Sequence, residues 1–192
     1  MSLPVIDTSW TLFLDRDGVI NIENPHGYIN TPEEFVFHEG VKEAIDIFSR
    51  VFGHIFVVTN QRGVGRGITK PGNLALIHQY LLEEVRRSGG RIDKIYICTD
   101  LEDSSPNRKP NPGMGLAAKL DYPAIDFSRS LVVGNNLSDM QFGRTLGCKT
   151  VFLPTANPDV SLANPLVDAV FDSLFDLAIS LSGTGALPSG SH

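Results

Sequence analysis

The chain is 192 residues long, enough for one domain with a sizeable core but not for two full domains. Its 42% apolar and 20% charged residues are those of an ordinary globular protein, and a formal net charge of −6 excludes a global field that would draw in a nucleic-acid backbone or an anionic membrane. No apolar run is long enough to span a bilayer, and Met1 to Thr11 lacks a basic flank followed by an apolar run, so a cytoplasmic protein without a membrane segment is expected.

The first strand signal is Thr11-Leu12-Phe13-Leu14, which leads directly into Asp15. The segment from Ile20 to Glu39 is the main insertion, with a turn signal at Asn24-Pro25-His26-Gly27. Val41, Ala44, Ile45, Phe48 and Val51 recur at helical spacing. His54 to Val58 is a second strand ending in Thr59-Asn60, and Arg62 to Pro71 reads as a loop with three glycines and two arginines. Leu74, Ile77, Leu81 and Val85 define a second helical stripe, closed by Gly89-Gly90. Ile95 to Cys98 is the third strand, followed by a loop from Asp100 to Asn111 and a helix over Gly113 to Leu120, with Pro112 suited to its first turn. Leu131 to Gly134 leads into Asn135, Ser138 to Leu146 forms a helix, and Thr150 to Leu153 is a fifth strand; Ala169-Val170-Phe171 is a candidate sixth.

Strands alternating with helices predict an α/β fold around a mainly parallel sheet, with the strands buried on both faces. Such sheets hold ligands at one edge, where the strands end. A single domain over residues 1–181 is expected, with a flexible Gly/Ser-rich tail over 182–192 and no insertion long enough for a separate cap domain. Cys98 and Cys148 stand alone, each beside an apolar run, and read as buried free thiols.

The polar residues at the strand ends suggest a chemistry. A break at Asp17-Gly18 lets the carboxylates of Asp15 and Asp17 approach one site. One carboxylate can attack phosphorus while the other protonates the departing alkoxide and then activates water; together they favour a hard divalent cation. Alone, the pair reads more readily as an ordinary solvated strand exit, because the pattern is short and common. Thr59 offers a hydroxyl to a phosphoryl oxygen, and Arg108-Lys109 offers cations ahead of a helix. Gly134-Asn135-Asn136-Leu137-Ser138-Asp139 brings further oxygens, with Ser138 or Asp139 as a helix cap and Asp139 turned toward a metal.

Asp15 to Asn21, Thr59 to Gly67, Arg108 to Met114 and Val133 to Asp139, in that order, resemble the four motifs of the haloacid dehalogenase (HAD) superfamily. They are closest to its D,D-heptose bisphosphate phosphatase and histidinol-phosphatase group. The resemblance implies a three-layer Rossmann-like fold with only small loop insertions as cap. It implies a Mg²⁺-dependent phosphatase of carbohydrate metabolism that acts on a small phosphorylated metabolite through an aspartyl-phosphate. Asp15 becomes nucleophile and metal ligand, Asp17 acid/base and metal ligand through its carbonyl, and Thr59 and Lys109 the phosphoryl holders. Asn135 and Asp139 become metal ligands, and Asn60, Arg66 and Arg108 substrate contacts. His26 and Tyr28 lie in a segment resembling a substrate loop of the heptose enzymes, which favours a heptose 1,7-bisphosphate over histidinol phosphate. The sequence departs from the group in two places. Between Cys98 and Asn107 there is one cysteine and no histidine, so the group's structural zinc is not expected. Asn135 stands where a metal-binding aspartate is usual, which leaves open a tolerated ligand exchange, an engineered inactivation, or a sugar-phosphate-binding protein with weak or no catalysis.

Overall fold

All six apolar runs pair into a single parallel sheet. A computed structural model describes residues 3–156, 158–160 and 162–183. Its strands are β1 (Thr11–Leu14), β2 (His54–Asn60), β3 (Lys94–Cys98), β4 (Ser130–Gly134), β5 (Lys149–Phe152) and β6 (Ala169–Val170), in the order β3-β2-β1-β4-β5-β6. The chain winds outward from β1 in one direction, then returns to β1's other side with β4. The crevice beyond the ends of β1 and β4 is therefore the topological switch point, where open α/β sheets bind ligands.

Strand alternation sorts the core into two layers. Leu12, Leu14, Ile55, Val57, Leu131 and Val133 face α1 (Val41–Val51), α3 (Pro71–Arg87) and α6 (Leu174–Ser182), meeting Ile45, Phe48, Ile77, Leu81 and Leu177. Phe13, Phe56, Val58 and Val132 point the other way, toward Met114 and Ala118 of α4 (Gly113–Asp121) and Phe142 of α5 (Leu137–Leu146). The result is the parallel-sheet α/β fold that the alternating pattern predicts, in the three-layer, Rossmann-like arrangement that the resemblance implies.

Three features depart from the sequence reading. β3 is an edge strand with Lys94 and Ile97 exposed, so burial on both faces holds for β1 and β4 but not here. The glycine-rich loop after β2 contains a short helix, α2 (Arg62–Gly65), too brief to leave a periodic signal. The tail expected from Ser182 begins with a residue that closes α6; residues 184–192 lie outside the described residues. Among the described residues, no helix is long and apolar enough to cross a membrane.

Candidate active site

Asp15 extends β1 by one residue, its N–H donating to Val133 O of β4 at 2.9 Å. The chain then turns sharply: the N–H groups of Val19, Ile20 and Asn21 all donate to Arg16 O, and Gly18 adopts φ 80°. Glycine is required there twice over, because a Cβ would also lie 1.9 Å from Asn135 Nδ2. The first and fourth motifs thus meet in van der Waals contact at the switch point.

The buried Lys109 ties this point together. Its Nζ donates to Asp15 Oδ1 at 2.7 Å and to Val58 O at 2.8 Å, and it lies 2.7 Å from Asp139 Oδ1. Burial pushes the Asp15 carboxyl up to about 7, Lys109 opposes, and the neighbouring charges of Asp139 and Asp17 add to the rise. Burial alone would lower the Lys109 ammonium; the carboxylates of Asp139 and Asp15 reverse this and hold it above the usual lysine range. Two carboxylates, Asp15 and Asp139, and the Lys109 ammonium are therefore buried together at one point.

Asp139 has two tasks here. Besides meeting Lys109, its Oδ2 accepts Asn136 N at 3.0 Å, forming a reciprocal capping box with Asn136 at the start of α5. The N-cap is Asn136, where Ser138 or Asp139 had been the sequence candidates, and the lysine and the helix start each engage an Asp139 oxygen. Asn135 is fully buried, and its Oδ1 accepts from Asn136 Nδ2 at 3.0 Å.

Asp17 faces a set of donors. Arg16, Asn21 Nδ2 (3.0 Å) and Gln61 Nε2 (2.9 Å) all donate to its carboxylate. Burial pushes Asp17 up, but the Arg16 charge and these hydrogen bonds bring it below the ordinary aspartate range. The same Gln61 amide donates to Thr59 Oγ1 at 2.8 Å, linking Asp17 to the hydroxyl near the end of β2. Asn60, a candidate substrate contact, instead clamps Lys109: its Oδ1 accepts Lys109 N and its Nδ2 donates to Lys109 O, both at 3.1 Å. That clamp fixes the main chain from which the lysine reaches Asp15.

The remaining candidates lie apart. Arg66 Nη1 donates to Tyr28 OH at 3.0 Å, and both line a groove of about 610 Å³ with His26, Asn24 and Ile68. The Tyr28 ring rests on Gly63, where a Cβ would meet Tyr28 Cγ at 2.7 Å, so the insertion and the α2 loop form one wall. Arg108 Nε donates to Asp103 Oδ1 at 3.1 Å, and Arg62 donates to the same oxygen at 2.9 Å. With Asn111 bonding Asp103 O and Ser105 O, these contacts fasten the loop between β3 and α4. Arg16, Asn21 and Gln61, which sequence reasoning passed over, stand inside or beside the motifs; His78, which meets Arg16, carries no motif signal.

A HAD-hydrolase-like family model matches residues 106–177. A D-glycero-alpha-D-manno-heptose-1,7-bisphosphate 7-phosphatase from Campylobacter jejuni is 40% identical over 74% of this chain and 80% of its own length. A D-glycero-beta-D-manno-heptose-1,7-bisphosphate 7-phosphatase from Vibrio cholerae is 33% identical over 86% and 92%. Among solved structures, the D,D-heptose 1,7-bisphosphate phosphatase from B. bronchiseptica, complexed with magnesium and phosphate, superposes with a TM-score of 0.82 at 28% identity, covering 92% of this chain and 99% of that one.

Proposed function

The chain belongs to the heptose bisphosphate phosphatase group of the HAD superfamily and is a phosphatase, and from that premise we propose that it removes the 7-phosphate of a D-glycero-D-manno-heptose 1,7-bisphosphate. The observation that carries the reading is the buried bridge from Lys109 to Asp15 and Asp139, which sets a nucleophilic carboxylate beside a cation suited to a phosphoryl oxygen. Both relatives are named for removal of the 7-phosphate from a D-glycero-D-manno-heptose 1,7-bisphosphate, one for the alpha and one for the beta anomer.

In this mechanism an Asp15 oxygen attacks phosphorus in line, the bond to the sugar oxygen breaks, and that oxygen takes a proton from Asp17, which must enter the step protonated although Arg16, Asn21 and Gln61 favour its anion in the free protein. Asp17, now anionic, takes a proton from water, which attacks the aspartyl-phosphate and releases inorganic phosphate with Asp15 restored. Lys109 and Thr59 hold the transferring phosphoryl oxygens. Arg66, Tyr28 and His26 line the groove proposed for the sugar, with Arg108 as a further substrate contact. Asn60 serves through Lys109.

The donor set fits magnesium. Asp15, the Asp17 carbonyl, Asn135 and Asp139 offer only hard oxygen atoms, and the burial and, after it, the neighbouring carboxylates that raise Asp15 are penalties a dication would offset. When bound, the ion would neutralise charge on the phosphoryl group. Asn135 adds an oxygen without a charge, so the site is expected to hold the ion more weakly than a third carboxylate would allow.

Phosphate release from both anomers of the heptose bisphosphate and from histidinol phosphate, with and without Mg²⁺, tests the proposal. Magnesium-dependent release from either heptose anomer, with little from histidinol phosphate, is expected. Preferential hydrolysis of histidinol phosphate would overturn the substrate, and undiminished release in EDTA would overturn the metal.

A further inference from the structure

Arg16 is the largest of the fully buried side chains, although it carries a charge. Its guanidinium grips Asp17 on both oxygens: Nε and Nη2 lie 3.2 and 2.8 Å from Oδ1, and Nη2 lies 2.9 Å from Oδ2. The other terminal nitrogen, Nη1, lies 3.1 Å from His78 Nε2, on a helix 62 residues further along the chain. A guanidinium has N–H donors and no acceptor, so His78 Nε2 must accept and the ring proton must sit on Nδ1. Burial and then the Arg16 charge push His78 down to about 4, which keeps the ring neutral and able to accept. The Phe35 ring, 5.9 Å from the guanidinium carbon, closes another side.

We propose that His78 is a positioning residue for the acid/base step: by accepting from Arg16 Nη1 it fixes the guanidinium fork, and through the fork the rotamer of Asp17. The inference rests on the phosphatase reading, which gives Asp17 its two proton transfers. A planar fork sets the orientation of the carboxylate it grips only if the fork itself cannot rotate. His78 supplies that stop from outside the motif. A histidine that merely filled the space between α3 and the sheet would be replaceable by an apolar residue of similar size, with no change in turnover by the folded enzyme.

Two variants separate these roles. His78→Leu keeps bulk and removes the acceptor; His78→Gln keeps an acceptor. The expected result is a fall in kcat of roughly tenfold for His78→Leu with KM within about twofold, and recovery of most of the loss in His78→Gln. Circular dichroism checks that both variants fold. In the wild-type protein, ¹⁵N NMR of the imidazole should show a neutral ring protonated on Nδ1. A His78→Leu enzyme with wild-type kcat, a Gln variant as slow as the Leu variant, or a ring protonated on Nε2 would each overturn the proposal. A wild-type enzyme that releases no phosphate from any substrate would count against the phosphatase reading instead, and the ring tautomer would still decide the Arg16 contact.

Discussion

Lys109, Asp15 and Asp139 are 4, 8 and 2% exposed, whereas His26 and Arg66 lie open to solvent in a groove whose walls are loops. Asp15 extends β1, Asp139 sits in the first turn of α5 and Lys109 comes from the loop between β3 and α4, with partners fixed on several sides. The second sits on loops joined by the Tyr28–Arg66 hydrogen bond, the Tyr28 ring resting on Gly63, and Asn30, whose oxygens accept from Thr69 Oγ1 at 2.7 Å and Asn73 Nδ2 at 2.9 Å. Under the proposed function the contrast gives the two halves different work. Bond breaking needs donors that do not reorganise, and low dielectric makes each of them stronger. Sugar recognition can tolerate a looser wall, which is also where a sequence can change without disturbing the chemistry.

Substitutions at the two ends should therefore fail differently. Asp15→Asn removes the nucleophile and should lower kcat on the order of 10⁴-fold while the far-ultraviolet circular dichroism stays unchanged. Lys109→Ala leaves two buried carboxylates without their shared cation; a loss in kcat of about 10²- to 10³-fold is expected, together with a lower melting temperature. Asn135→Asp adds a charge to the metal face, and isothermal titration should show Mg²⁺ binding roughly tenfold tighter. No gain in affinity would remove Asn135 from the ligand set. At the rim, Arg66→Ala should raise KM about tenfold with kcat within about twofold; a kcat collapse there would break the division altogether.

The smallest effect is on stability. His78 titrates near 4 in the folded protein, against an ordinary value of 6.5, so between those values the unfolded chain binds more protons. Its contribution is present above pH 6.5 and lost as pH falls toward 4. Chemical denaturation across that window should give a shallower pH slope in His78→Gln than in wild type.

The same contrast explains what the sequence disclosed. Asp15, Thr59 and Asn135 each follow an apolar run, and the sheet gathers strand ends, so the pattern that predicts the fold also predicts their neighbourhood. Partners were harder to read. Asn60 clamps a main chain 49 residues away and Gln61 spans 44 residues to Asp17, choices made by tertiary packing rather than by local spacing. His78 lies beside Ile77 within the buried stripe of α3, where a lone polar residue gives no sign of its distant partner. The exposed Ile97 was misread because an apolar run looks alike in a central strand and at an edge.

The strand order also governs when the site exists. β1 lies between β2 and β4, so a chain emerging from a ribosome can dock β1, β2 and β3 while one flank of the nucleophile strand still lacks its neighbour. Lys109 is 94 residues from Asp15, and Asp139 follows only after β4. The N-terminal half of a growing chain thus carries Asp15 and Thr59 without the ammonium that organises them. The proposed site can therefore be complete only once Asp139 has been made, well past the midpoint of the chain.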